Sequence, residues 1–238
     1  MNITYCENYD HMSQMAYDSI ISDLKLKSGQ LICTATGNSP TGVYEKLSAL
    51  YKSNPEYFKA ISIVKLDEWH GINANDPSSC ETYIRHKILE PLHIPDDRFI
   101  AFKSDTDSPE RECDRIQKEI AEKGPIDLCI LGIGVNGHIG FNEPAESISA
   151  FCHVGELAKT SMRHQMVNDV KIKPRFGLTL GMADILHSKK IMLLITGAHK
   201  ENITEQLLTK KITTHLPASL LWLHSNMECY IDSGSLKK

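Results

Sequence analysis

The run Ile126-Asp127-Leu128-Cys129-Ile130-Leu131 constrains the fold of this chain more than any other segment. It is short and apolar almost throughout, which reads as a strand buried on both faces. It runs straight into Gly132-Ile133-Gly134-Val135-Asn136-Gly137-His138-Ile139-Gly140-Phe141-Asn142-Glu143-Pro144, a loop holding four glycines, one histidine, one carboxylate and two asparagines. Glycine lets a backbone turn tightly and approach a ligand. Histidine is the side chain best suited to moving protons near neutral pH, and Glu143 lies close enough in sequence to orient it. Such a loop suits a small-molecule site at the carboxyl end of a parallel strand.

Gly132, Gly134 and Gly137 also spell G-x-G-x-x-G, the dinucleotide fingerprint. That fingerprint needs a helix opening at its third glycine to receive a pyrophosphate. His138 to Glu143 has no helical period and Pro144 follows, so the spacing argues against a dinucleotide cofactor.

The same pattern of strand followed by loaded loop recurs along the chain. Met12, Met15, Ala16, Ile20 and Leu24 predict an opening amphipathic helix, with Gly29 as its stop. Strands are predicted at Leu31 to Thr34, Ile61 to Leu66, Ile126 to Leu131, Lys190 to Ile195 and Met227 to Ile231. Helices are predicted around Val43 to Leu50, over Thr82 to Leu89, over Glu110 to Lys123 before Gly124-Pro125, and from Lys200 through Leu208. Strands alternating with helices imply a single α/β domain spanning residues 1–238, a doubly wound, mostly parallel sheet with helices on both faces, Rossmann-like and three-layered. Four of these strands end in chemically loaded loops: Thr36 to Ser39, Asp67 to His70, Gly132 to Glu143 and Thr196 to Lys200. Loops on one edge of a parallel sheet can meet around one ligand although they lie far apart in sequence.

Composition excludes several classes. The 238 residues carry a net charge of -4, which offers no general basic surface for nucleic acid and no polybasic membrane patch. No apolar run approaches the ~20 residues needed to cross a bilayer, and the N-terminus lacks the layout of a signal peptide. The seven cysteines form no C-x-x-C pair, which leaves metal and redox motifs unsupported. A reducing cytoplasm is the expected setting.

Each loop has a structural and a functional reading. In Thr36-Gly37-Asn38-Ser39-Pro40, Ser39 suits an N-cap and Pro40 a first helical residue; equally, free amides, the helix dipole and two hydroxyls suit an anion. Asp67 and Glu68 are neighbours in extended chain, so one of them faces a site. That carboxylate either caps a turn or, partly shielded from water, acts as a general base. Lys200 stands where a cation opposes the helix dipole, a penalty that an anionic ligand would reverse.

Thr36 to Pro40, Lys65-Leu66-Asp67-Glu68-Trp69 and Gly134 to Pro144 together resemble the glucosamine-6-phosphate deaminase/isomerase family, which also includes 6-phosphogluconolactonases. The resemblance runs from about Leu31 to near the C-terminus. The lactonases share a related Gly-His but not Phe141-Asn142-Glu143-Pro144. Val64 to Trp69, Cys80-Glu81-Thr82, Leu128 to Leu131 and Pro217 to Asn226 are most similar to the galactosamine-6-phosphate isomerase/deaminase branch, with the glucosamine enzymes as the alternative.

The resemblance implies a 2-amino-2-deoxyhexose 6-phosphate as substrate, with no metal or cofactor. His138 would open the sugar ring, Glu143 and Asn136 would orient it, and Asp67 would move a proton from C2 to C1. Thr36, Gly37, Asn38, Ser39, Lys200 and either His164 or Arg163 would hold the phosphate. Asn136 and His164 stand where the better-known enzymes carry an aspartate and an arginine. His153 and Gly155 stand where some bacterial deaminases carry the basic pair of an allosteric phosphate site, which implies no activation of that kind. A sugar-phosphate sensor is the competing class; the roughly thirty residues ahead of the first predicted strand are too few for a DNA-binding module. The resemblance leaves homo-oligomerisation open, and the polar stretch Leu157 to Phe176 is the candidate lid.

Overall fold

The structure is a computed structural model and describes residues 1–163, 165–167, 170 and 173–236. Its strands are β1 (Asn2–Cys6), β2 (Leu31–Thr34), β3 (Ser62–Lys65), β4 (Asp67–Trp69), β5 (Phe99–Ile100), β6 (Leu128–Gly132), β7 (His153–Glu156), β8 (Phe176–Thr179), β9 (Lys190–Ile195) and β10 (Met227–Asp232). Its α-helices are α1 (Tyr9–Leu26), α2 (Asn38–Tyr51), α3 (Cys80–Ile84), α4 (Pro109–Lys123), α5 (Met182–Leu186), α6 (Glu201–Leu208) and α7 (Ser233–Leu236). Seven strands form one sheet in the order β1-β10-β9-β6-β2-β3-β5, and every pairing in it is parallel.

Alternation along the central strands explains why their sequences are apolar throughout. Cys129 and Leu131 of β6 pack into one core with Leu31 and Cys33 of β2, Ile191 and Leu193 of β9, and helices α4, α5 and α6. Leu128 and Ile130 face the other way, into a second core with Ile32, Met192, Leu194 and helices α1 and α2. Successive strand residues point to opposite faces, so a sheet covered twice needs apolar residues at every position.

The chain builds β2, β3 and β5 outward in one direction, then returns to lay β6 beside β2 and continues with β9 and β10 in the other. The reversal falls between β2 and β6, the topological switch point where such sheets leave a crevice. The loops after both strands border it.

The structure differs from the sequence-based expectations at several elements. Strand β1, not a helix, opens the chain, and α1 ends at Leu26 with Lys27 as its C-cap, short of Gly29. The predicted strand over Ile61 to Leu66 is β3 alone. Asp67 does not close that strand but begins β4, which belongs to a separate antiparallel sheet in the order β4-β8-β7. The helix predicted over Thr82 to Leu89 is α3 running into a wider π-type turn at Arg85–Leu89. Ser39 is not an N-cap: Gly37 caps α2 with a φ of 95°, a left-handed conformation that favours glycine, and Ser39 lies inside the first turn. Among the described residues no helix is long and apolar enough to cross a membrane.

Candidate active site

A cavity of about 530 Å³ opens at the switch point. Its wall includes Thr36, Gly37, Asn38 and Ser39 from the loop after β2 and the start of α2, Asp67 and Trp69 from β4, and Gly132 to Val135, His138, Gly140 and Phe141 from the loop after β6. Thr196, Gly197, His199 and Lys200 come from the loop after β9, and Tyr9, Thr160 and Ser161 complete the rim. Residues from all four predicted stretches therefore meet around one space, the second of them as strand β4 and not as a loop.

Asp67 and Glu68 point to opposite sides, as neighbours in extended chain must. Glu68 is fully buried and bonds Lys65 Nζ at 2.6 Å, with both side chains withdrawn from water. It also accepts the amides of Trp69, Cys80 and Glu81, which fixes the start of α3. Asp67 faces the cavity. Burial, reinforced by the nearby Glu68 charge and opposed by Lys65, pushes its carboxyl up to about 7. An acid with that affinity for a proton is suited to take one from carbon near neutral pH.

His138 is held from three directions. Its Nδ1 lies 3.3 Å from Glu143 Oε2 and 3.2 Å from Ser161 Oγ, which leaves Nε2 for the cavity. Asn136 donates from Nδ2 to Glu143 Oε2 at 2.8 Å and accepts the His138 amide at 3.2 Å. The ring lies flat on Gly134: a Cβ built there would stand 2.4 Å from the imidazole. Burial alone would raise the Glu143 carboxyl, but hydrogen bonds and charge from His138, with hydrogen bonds from Ser161 and Asn136, bring it down to about 2. A permanent carboxylate there keeps the Nδ1 proton in place and stabilises an imidazolium, as in a catalytic triad. Asn136 and Glu143 stand behind the imidazole and not in the cavity wall.

In the same cavity wall, Ser39 Oγ lies 3.5 Å from Lys200 Nζ. Burial lowers the Lys200 ammonium to about 8, and among the described residues no carboxylate forms an ion pair with it. A desolvated cation beside a helix N-terminus is a receptor for an anion.

Of the sequence-predicted residues, Thr36, Gly37, Asn38, Ser39, Asp67, His138 and Lys200 share the cavity. Arg163 is exposed and outside its wall. His164 lies outside the described residues, as do parts of the stretch Leu157 to Phe176. Sequence reasoning missed Ser161, which donates a short hydrogen bond to Glu143 Oε1 while touching His138. It also missed Tyr9, His199 and Thr160. Ser161 lies within the polar stretch picked out as a lid, the one local sign of it. Among the described residues no group of three or more His, Cys, Asp or Glu side chains is placed to hold a metal ion.

Comparison with known proteins gives a consistent result. The family described as glucosamine-6-phosphate isomerases/6-phosphogluconolactonase matches residues 10–230. AgaI of Escherichia coli (strain K12), whose name carries a provisional deaminase assignment, is 38% identical over 227 residues, covering 95% of this chain and 90% of that protein. The glucosamine-6-phosphate deaminase of Geobacillus sp. (strain WCH70) is 36% identical over 241 residues, covering 99% and 95%. The solved structure of a monomeric glucosamine-6-phosphate deaminase superposes with a TM-score of 0.94 at 33% identity over 100% of both chains. A 6-phosphogluconolactonase from Leishmania guyanensis shares the fold, with a TM-score of 0.79 at 17% identity, covering 99% and 97%. With that cavity and these relatives, the chain belongs to the glucosamine-6-phosphate isomerase/6-phosphogluconolactonase family of enzymes.

Proposed function

We propose that this enzyme converts a 2-amino-2-deoxyhexose 6-phosphate to the ketose 6-phosphate and ammonia. The observation that carries the reading is the cavity itself: a proton-hungry carboxylate and a carboxylate-backed imidazole line the same space as a half-buried ammonium that has no carboxylate partner among the described residues.

The phosphate sits between Lys200 and the first amides of α2, with the Thr36 and Ser39 hydroxyls beside it. Charge-assisted contacts anchor this end and bring the carbons into register with the reacting groups. His138 Nε2 takes the anomeric hydroxyl proton and returns a proton to the ring oxygen, which opens the ring to the aldehyde. Glu143, oriented by Asn136 and Ser161, stabilises the imidazolium between these two transfers. Asp67 then removes the proton from C2. The electron pair moves into a C1–C2 double bond while a water molecule gives a proton to the aldehyde oxygen, leaving an enolamine and a hydroxide that the later addition of water neutralises. Asp67 returns its proton to C1, which leaves a protonated imine at C2. Water adds there, the C–N bond breaks, and ketone and ammonia result. Side chains and water supply every proton in this sequence of steps.

The galacto epimer, giving tagatose 6-phosphate, is the first reading. It rests on the resemblance of Val64 to Trp69, Cys80 to Thr82, Leu128 to Leu131 and Pro217 to Asn226 to that branch. The gluco epimer, giving fructose 6-phosphate, is the second, favoured by the named deaminases at 36% and 33% identity. Ammonia release from galactosamine 6-phosphate and glucosamine 6-phosphate, measured side by side, tests both. We expect the larger kcat/KM on the galacto sugar. A larger value on the gluco sugar selects the second reading, and no ammonia from either rejects the reaction.

A further inference from the structure

The first turn of α2 is built in an unusual way. The Tyr9 hydroxyl donates to Asn38 O at 2.6 Å and accepts the Gly42 amide at 2.7 Å, so it stands between the two groups of an i, i+4 backbone pair. Gly42 makes room for it: a Cβ there would meet Tyr9 Cε1 at 3.0 Å and Ser13 Oγ at 2.4 Å. One residue earlier, Gly37 O faces two further hydroxyls, Thr41 Oγ1 at 2.8 Å and Tyr83 OH at 2.9 Å, themselves 2.6 Å apart. Two hydroxyl hydrogens serve these three contacts, so one hydroxyl donates to the carbonyl while the other donates to it or to its neighbour.

Those two carbonyls matter because of what lies on the other side of each peptide plane. The peptide group is flat and trans, so fixing Gly37 O fixes the direction of the Asn38 N–H, and fixing Asn38 O fixes that of Ser39. These are the first two residues of α2, whose N–H groups have no intrahelical acceptor. The next residue, Pro40, has none to offer.

We propose that Tyr9 and Tyr83 are positioning residues that aim the Asn38 and Ser39 amides at the substrate phosphate. The inference rests on the proposed function, in which the phosphate lies beside Ser39 and Lys200. Tyr83 adds a link to the chemistry. It sits on α3, whose first amides are held by Glu68, the residue after Asp67. The phosphate loop is thereby tied to the strand that carries the base, and a fixed distance between anchor and base is what a positioned proton transfer requires.

The test uses the full chain. Binding of inorganic phosphate is measured by calorimetry for the unmodified protein, Tyr9→Phe and Tyr83→Phe, with kcat and KM from ammonia release on the better amino-sugar phosphate. Tyr230→Phe, which loses a hydroxyl contact to Glu228 on β10, serves as the remote control. Each of the first two variants is expected to weaken phosphate binding and raise KM together by roughly 3- to 10-fold, the scale of one uncharged hydrogen bond, with kcat within about twofold. Tyr230→Phe is expected to change neither. Phosphate bound equally by the unmodified protein and both variants overturns the positioning role, as does a fall in kcat at constant KM. No phosphate binding by the unmodified protein overturns the placement of the anchor and the inference with it. Should either variant fail to fold, Thr41→Val removes a donor to the same Gly37 carbonyl and carries the same expectations.

Discussion

Asp67 and Lys200 are both displaced toward neutrality by burial, from opposite directions. In the proposed mechanism Asp67 works once it has lost its proton, so activity should rise as pH passes about 7. The anchor works while it keeps its proton, so activity should fall as pH passes about 8. Plotted as kcat/KM, which reports the free enzyme, the profile should be a narrow bell with its top between these values, and Lys200→Met should remove the alkaline limb. Asp67→Asn should leave phosphate affinity nearly intact and lower kcat by ~10²-fold or more. The same substitution should reveal the stability cost of the site. A raised folded-state pKa means that the folded protein binds the proton more tightly, so the ionised Asp67 opposes folding increasingly from about pH 4 to about pH 7. Asp67→Asn should therefore raise the thermal midpoint at pH 8 and leave it unchanged near pH 4. Asp67, His138 and Lys200 are legible in the sequence because each follows a recognisable apolar strand within a few residues. Ser161 is not, since its contact with Glu143 spans eighteen residues of irregular chain and leaves no local pattern.

Among the elements, β4 is the one that decides which acid faces the cavity. It follows β3 after the single residue Leu66, so the apolar run reads as one strand when the backbone in fact leaves one sheet for another. That change of sheet leaves Asp67 on the cavity and Glu68 in the interior. β2, β6 and β9 are legible because both their faces are covered. β1 is not, being an edge strand with Asn2 and Tyr5 in water, and β5 is only two residues long. The buried Lys65–Glu68 pair braces β3, β4 and α3 together. Glu68→Ala would leave the buried Lys65 ammonium with only the longer Glu81 contact at 3.5 Å and the Phe102 carbonyl, and the α3 amides without an acceptor. Urea unfolding should show a loss of about 3–5 kcal/mol. The double replacement Lys65→Met, Glu68→Leu should lose less, because no charge is then stranded.

For the molecule as a whole, the family resemblance implies that His153 and Gly155 stand where some bacterial deaminases carry an allosteric basic pair; both lie on β7, where the His153 ring contacts Phe151 O at 2.9 Å. Initial rates should therefore follow a hyperbola in substrate, with or without N-acetylglucosamine 6-phosphate; a sigmoidal curve that this compound straightens would contradict it. The crevice at the β2–β6 reversal also orders events in time. A ribosome delivers the chain from its N-terminus, so the carboxylate at position 67 is laid down long before the imidazole at 138 and the amine at 200. With its parts drawn from both wings of the sheet, the proposed reaction centre cannot assemble on a fragment that ends before residue 200. Catalytic competence arrives late in translation, after the third of these groups has cleared the exit tunnel.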